Sequence, residues 1–210
     1  MLHSTILEAR DLSKSFAGPP LFTALSFRVE KGLFAVTGRN GSGKTTLIKI
    51  LASLLRPGAG TVRIERAGKE LSGDERRLAV GWAGPDLAFY DDLSAVENLV
   101  FFRKAAGWRV DATELERRLA DSGLDPLSAR RRVGGYSTGM KQRLRIAFAL
   151  LFDPPVLLLD EPALGLDAEG RAAVEGVIAG RRREAVVVVA SNDPRDFAQP
   201  DQVIELGRNR

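Results

Sequence analysis

Between the apolar run Leu33–Val36 and the helix-like run Leu47-Ile48-Lys49-Ile50-Leu51 lies Gly38-Arg39-Asn40-Gly41-Ser42-Gly43-Lys44-Thr45-Thr46. A strand that feeds a glycine-rich turn opening a helix leaves few folds, because strand and helix must then pack side by side in an α/β arrangement. The stretch fits G-x-x-x-x-G-K-[ST]. In that pattern glycines let backbone N–H groups converge on the β- and γ-phosphates, Lys44 supplies a point charge, and the Thr45 hydroxyl reaches Mg²⁺. Residues Gly38 to Thr46 are therefore the candidate phosphate cradle. A glycine-rich turn with a surface lysine is the bland alternative, and the order strand, loop, helix argues against it.

The second half of a site lies downstream, where Val156-Leu157-Leu158-Leu159 runs straight into Asp160-Glu161-Pro162. An uninterrupted apolar run of this length suits a parallel strand buried on both faces. Open α/β sheets bind ligands at the carboxyl ends of their strands, so Asp160 is the candidate Mg²⁺ ligand and Glu161 the candidate base that orients or deprotonates an attacking water.

Between these segments, Tyr136-Ser137-Thr138-Gly139-Met140-Lys141-Gln142-Arg143 opens a helix with apolar Leu144, Ala147, Phe148 and Leu151. Alone, a Ser-Thr-Gly before a helix reads as an ordinary N-cap. The order of the segments carries more. Phosphate loop, Ser-x-Gly-x-x-Gln-Arg, Leu-Leu-Leu-Asp-Glu-Pro and Gly165-Leu166-Asp167 together resemble the nucleotide-binding subunits of ABC transporters, over nearly the whole chain. The family's signature is usually Leu-Ser-Gly-Gly-Gln, from which this turn departs. The resemblance implies an ATP-dependent dimer, homo- or heterodimeric, with ATP sandwiched head to tail. Ser137 and Gly139 would then contact the γ-phosphate bound by the partner, and Leu166 and Asp167 would lie across the interface. It also implies ATP and Mg²⁺ as ligands, a separate transmembrane permease as partner, and a cytoplasmic location on the inner face of the cell membrane. Phe16 occupies the place where the family stacks an aromatic ring on adenine. Two narrower readings stand open, the haem-exporter ATPase of cytochrome c maturation, taken first, and an ATPase of a drug or lipid exporter.

Composition bounds the rest. The chain has 210 residues, 44% hydrophobic and 28% charged, with no cysteine. That suits one globular domain over residues 1–210 and excludes disulfide or thiol chemistry. No apolar run approaches the ~18 residues that span a bilayer. The formal net charge of +4 is mild, and Arg130-Arg131-Arg132 and Arg181-Arg182-Arg183 read as solvated faces, so no nucleic-acid partner is expected. Chromosome-maintenance ATPases share the head motifs, but the short span from Lys44 to Asp160 leaves no room for their long coiled coil.

Patterning predicts strands over Ile6–Ala9, Ala24–Val29, Thr61–Glu65, Val156–Asp160, Ala185–Ala190 and Gln202–Leu206, and helices over Thr45–Leu54, Ser94–Gly107, Ala112–Gly123 and Ala168–Ala179. The expected fold is an α/β phosphate-loop ATPase core with an N-terminal antiparallel β part. The resemblance adds an inserted helical subdomain near residues 86–135, whose surface would dock the permease. Tyr90, Phe101 and Phe102 read as simple packing or as part of such a docking groove. His3 is assigned no role.

Two departures from the family's pattern fall on positions that sense the γ-phosphate. Pro85 or its neighbour stands where a glutamine usually reaches Mg²⁺, and Asp86 is the candidate substitute as an outer-sphere ligand. Asn192 stands where the family has histidine. Its amide still donates a hydrogen bond but cannot become a cation, which predicts slow hydrolysis. The alternative is that Asn192 caps the short helix beginning near Pro194.

Overall fold

Every second residue of β1 (Thr5–Lys14) is buried over its first half, so one face of that strand looks into a core. The computed structural model describes residues 4–207, and His3 lies outside them. Strand β1 pairs antiparallel with β2 (Phe22–Val29) and β4 (Ala59–Arg66), and a two-residue strand β5 (Lys69–Glu70) completes a sheet in the order β2-β1-β4-β5. A second sheet is parallel, with β3 (Gly32–Thr37), β6 (Val80–Ala83), β7 (Val156–Asp160), β8 (Val186–Ala190) and β9 (Gln202–Glu205) in the order β6-β7-β8-β3-β9. Every residue of β7 and β8 is buried, as expected of strands covered on both faces.

Period-2 alternation divides the parallel strands between two cores. Phe34, Val36, Val156, Leu158, Val186 and Val188 face the helix α1 (Lys44–Leu51) and, beyond it, Leu7, Leu12 and Ile64 of the antiparallel sheet. Leu33, Leu157, Leu159, Val187 and Val189 face Ile146 of α6 (Thr138–Ala149) and Val174 and Ile178 of α7 (Ala168–Arg181). A third core joins α3 (Ala95–Ala105), α4 (Ala112–Asp121) and α5 (Pro126–Ala129) to α6 through Leu99, Leu115, Leu119, Ala129, Leu144 and Ala147. Helix α6 thus packs on both the sheet and the helical layer. Ser94 and Glu97 form a reciprocal capping box that starts α3, and Asp111 caps α4, as the polar residues before each apolar run would have it.

Several boundaries move. Apolar periodicity carries α1 to Leu54, but the helix ends at Leu51, and Ser53 takes a left-handed φ of 61°. Strand β1 runs five residues past Ala9, through a left-handed Asp11 and a register shift that no side-chain pattern announces. The short helix α2 (Gly73–Leu78) buries no residue and left no apolar stripe to read.

Aromatic rings form a ladder between α3 and α6. Tyr90 meets Phe101 edge-on at 4.9 Å, Phe101 meets Phe102 at 5.4 Å, and Phe102 meets Phe148 at 4.9 Å. The inner rings pack, while Tyr90 and Phe101 are exposed.

Candidate active site

Strand order decides where the chemistry gathers. Because β7, β8 and β3 are neighbours in register, with Asp160 beside Ala190 and Ala190 beside Val36, the segments that leave their carboxyl ends emerge together. These segments are the phosphate loop after β3, Glu161 after β7, and Ser191-Asn192 after β8. The phosphate loop and Glu161 line a cavity of about 390 Å³ together with Phe16 and Leu21, its other lining residues being Asn40, Gly41, Gly43, Lys44, Thr45 and Thr46, while Ser191 and Asn192 stand behind them.

The loop is built for an anion. Gly43, at φ 98°, occupies the N-cap of α1, no side chain caps that helix, and its first turn has no acid. Its leading N–H groups and the positive end of its dipole therefore face the cavity uncovered. Gly38, at φ 144°, has no room for a side chain, since a Cβ there would stand 2.6 Å from Ser42 Oγ and 2.5 Å from the Leu206 carbonyl oxygen. Lys44 is buried, and its ammonium donates to the Gly38 carbonyl at 2.9 Å and to Asn192 Oδ1 at 2.8 Å.

Asp160 is 1% exposed, and neither of its carboxylate oxygens completes a hydrogen bond. Burial raises its pKa and the Glu161 charge adds to the rise. The nearby Thr45 hydroxyl and the Lys44 and Lys49 ammonium groups oppose it. A buried carboxylate with unclaimed oxygens beside a threonine hydroxyl fits a divalent cation. No cluster of three or more His, Cys, Asp or Glu side chains able to hold a metal occurs among the described residues. Thr45 and Asp160 would hold Mg²⁺ with phosphate oxygens supplying much of its shell, as that ion prefers.

Glu161 has a left-handed φ of 48°, fixed by its N–H donating to the Ala190 carbonyl at 2.8 Å. Gln142 of α6 reaches the Pro162 carbonyl at 3.0 Å, and Arg145 of the same helix holds the Pro85 and Leu87 carbonyls at 2.8 and 3.1 Å. The loop around Pro85 is therefore pinned by its backbone to α6.

Two expectations change here. Asp86 is spent on an ion pair with Lys49 and is exposed, and it is absent from the cavity lining. Asp86→Ala is accordingly expected to leave the Mg²⁺ dependence of any turnover within about twofold and to cost at most about 1 kcal/mol of stability, the ceiling for a surface pair. A shifted Mg²⁺ titration would restore Asp86 as a ligand. The helix cap near Pro194 is Asp193, which accepts from the Arg195 N–H, and not Asn192. Asn192 instead places its carbonyl on Lys44 and its amide nitrogen on Asn40 Oδ1.

The remaining candidates fall in two places. Phe16 is 61% exposed at the cavity rim with the Lys14 ammonium 5.1 Å from its ring centroid, so it is not a core residue. Ser137 and Gly139 lie at the start of α6, where Ser137 caps the helix by accepting from the Met140 N–H, and neither lines the cavity. Gly139 approaches the Gly165 carbonyl, 3.1 Å from where its Cβ would be. Asp167 caps α7 and pairs with Arg143 at 2.6 Å. Sequence reading missed Ser191, whose hydroxyl is 3.0 Å from Glu161 Oε2, and Lys49. The register that sets Asp160 beside Ala190 is the signal that finds Ser191.

A mononucleotide-sized cavity over a phosphate loop, with an orphaned buried carboxylate and a second carboxylate at its edge, defines a nucleoside-triphosphate-binding α/β protein. The profile of the ABC transporter family matches residues 22–164, and the chain belongs to that family. It is 34% identical to a daunorubicin resistance ATP-binding protein of Streptomyces coeruleorubidus over 97% of this chain, and 33% identical to a bacitracin transport ATP-binding protein of Enterococcus faecalis over 97%. The chain spans 66% and 67%, about two thirds, of those relatives' own lengths. A solved ATP-binding subunit of an ABC transporter superposes with a TM-score of 0.79 at 26% identity, covering 96% of this chain and 85% of that one. The fold is that of the phosphate-loop ATPase cassettes.

Proposed function

We propose that this chain is the ATP-hydrolysing subunit of an exporter of the drug or antibiotic class, that it works as an ATP-dependent dimer, and that it powers a separate membrane permease. The observation that carries the reading is the convergence of Lys44, Thr45, Asp160 and Glu161 at one cavity. Lys44 and the first-turn N–H groups of α1 bind phosphate, and Phe16 offers a ring face to a base. Mg²⁺, held by Thr45 and Asp160, supplies charge neutralisation at the phosphates. Glu161 takes a proton from water as the water oxygen bonds to the γ-phosphorus, and the bond from that phosphorus to the bridging oxygen breaks, releasing ADP and phosphate. Positioning and charge do most of this work.

Because Ser137 and Gly139 stand apart from the cavity on their own chain, a second subunit is needed to bring a signature turn over the nucleotide. Helix α6 ties that turn to the Pro85 loop through Arg145, and the exposed Tyr90 and Phe101 beside α3 offer a contact for the permease. No helix among the described residues is long and apolar enough to cross a membrane, and in this reading a permease moves the cargo. A peripheral place on the cytoplasmic face of the membrane follows from that partnership.

The exporter class rests on the similarity to daunorubicin resistance and bacitracin transport ATP-binding proteins. The haem-export reading has no support from these relatives, and the drug-exporter alternative takes its place. Inside-out vesicles carrying the chain together with its candidate permease, identified as a multi-span membrane protein captured by co-purification, are expected to accumulate daunorubicin or bacitracin on ATP addition, and not with Lys44→Ala. Hydrolysis stimulated by haem instead would overturn the cargo class.

The neutral Asn192 predicts a slow motor. Asn192→His restores a donor able to carry charge, and turnover is expected to rise by up to about 10²-fold, the low end of what one aimed donor is worth at a developing anion. An unchanged steady-state rate would mean that Asn192 is not aimed at the γ-phosphate.

A further inference from the structure

Among the described residues the Glu161 carboxylate has one side-chain hydrogen-bond partner, Ser191. The residue that follows it, Asn192, is not free to help, because its amide is committed to Lys44 and Asn40. Ser191 leaves the end of β8 fully buried, and its hydroxyl oxygen sits 3.0 Å from Glu161 Oε2 and 2.6 Å from Asp196 Oδ2 while accepting the Asp193 N–H at 3.1 Å. Asp196, only 6% exposed, is itself met by the Arg171 guanidinium at 2.6 Å, and Arg171 lies 3.6 Å from Asp193. A buried aspartate is costly unless it is paired and hydrogen-bonded, and here Arg171 pairs with it while Ser191, which also meets Glu161, is hydrogen-bonded to it.

We infer that Ser191, Asp196 and Arg171 are positioning residues for Glu161, an inference that rests on Glu161 being the base. The hydroxyl has one proton and stands between two carboxylates. That proton serves one carboxylate at a time, Glu161 or Asp196; the Asp193 N–H fixes the Ser191 oxygen and Arg171 compensates the Asp196 charge, which leaves the proton free to turn to Glu161. A glutamate has three side-chain torsions, and its carboxylate must be held near the attacking water for proton transfer to be productive. Its left-handed backbone, held by the Ala190 carbonyl, fixes where the side chain starts, and Ser191 fixes where its carboxylate ends. Arg171 lies one turn into α7, whose cap is Asp167, so the orientation of Glu161 is also tied to the segment Gly165–Asp167.

The test is steady-state Mg·ATP hydrolysis by the full chain, with Mg·ADP affinity and thermal melting measured on the same samples. Ser191→Ala and Asp196→Asn are expected to lower kcat by about 10- to 100-fold, the scale of a misplaced catalytic group, with KM and Mg·ADP affinity held within about twofold. Ser191→Thr keeps the hydroxyl and is expected to recover most of the rate. A wild-type kcat in Ser191→Ala overturns the inference, as does a loss of kcat matched by an equal loss of nucleotide affinity and melting temperature. Should Asp196→Asn fail to fold, the Ser191 pair of variants decides alone. Glu161→Gln, run in parallel, separates the two claims. If it is inactive while Ser191→Ala is fully active, only the positioning role falls. If it retains the wild-type rate, or the wild type does not turn over, the base assignment falls and takes the positioning role with it.

Discussion

Glu161→Gln is expected to bind Mg·ATP as tightly as the wild type and to hydrolyse it about 10²- to 10⁴-fold more slowly, the usual worth of a positioned general base. The substitution keeps the shape of the side chain and its hydrogen-bonding capacity toward Ser191, because an amide can accept from that hydroxyl or donate to it. What it removes is the ability to take a proton. The backbone at residue 161 stays anchored by the Ala190 carbonyl, so the fold around the phosphate loop is not expected to change. Two readouts should therefore separate: nucleotide affinity holds while turnover collapses, and an ATP-dependent dimer outlives that of the wild type. Lys44→Ala should do the opposite, losing nucleotide affinity first, because its ammonium is the buried cation of the cradle. Wild-type turnover in Glu161→Gln would mean that water is activated elsewhere.

How much of this could be read from the chain depends on the range of the interaction. The phosphate loop was legible because its geometry is local: glycine torsions and a helix start are set within nine residues. Strands β7 and β8 were legible because burial on both faces leaves an unbroken apolar run. Helices α3 and α4 were legible through the helical spacing of Leu99, Phe102, Leu115 and Leu119. Pairing between side chains far apart in sequence was not legible. Asp86 reads as a metal ligand only until Lys49, 37 residues earlier, is seen to hold it, and the contact of Asn192, read as a stand-in for the family's histidine, with Lys44 is visible only once strand order is known. Arg171 and Asp196, 25 residues apart, bear no mark in sequence of their shared buried bridge. The candidate site was visible as residue types, whereas the contacts that surround Glu161 are a product of sheet register.

Gly81→Ala is expected to be strongly damaging, with the nearest approach of any built Cβ in the described fold, although sequence reading gave Gly81 no role. Gly81 lies in β6, beside β7, and its φ is unexceptional, so the backbone would accept an L side chain. Space is what forbids it. A Cβ at this position would lie 1.9 Å from the Ala149 carbonyl oxygen and 2.6 Å from Pro154 Cγ, and the nearer atom is backbone at the end of α6. No rotamer change relieves a clash with backbone, so α6 must move off the sheet. That helix packs Ile146 and Ala149 into one core and Leu144 and Ala147 into another, so its displacement loosens both. The cost should reach the upper end of overpacking, about 3 kcal/mol, which lowers the melting temperature by roughly 6–12 °C in a chain of this size. Gly176, mid-way along α7, is the control, since a Cβ there meets nothing within 4 Å. Gly176→Ala should raise stability by about 0.5–1 kcal/mol through helix propensity and a less free unfolded chain. Melting curves of the two variants, run beside the wild type, should move in opposite directions. A Gly81→Ala melt within 2 °C of wild type, by roughly the 2–4 °C per kcal/mol of a chain this long, would mean that the contact between β6 and α6 is looser than the 1.9 Å approach implies. Because α6 also carries Ser137 and Gly139 at its other end and grips the Pro85 loop through Arg145, the same methyl should disturb the half of the site proposed to act across a dimer while leaving Lys44 and its cradle in place.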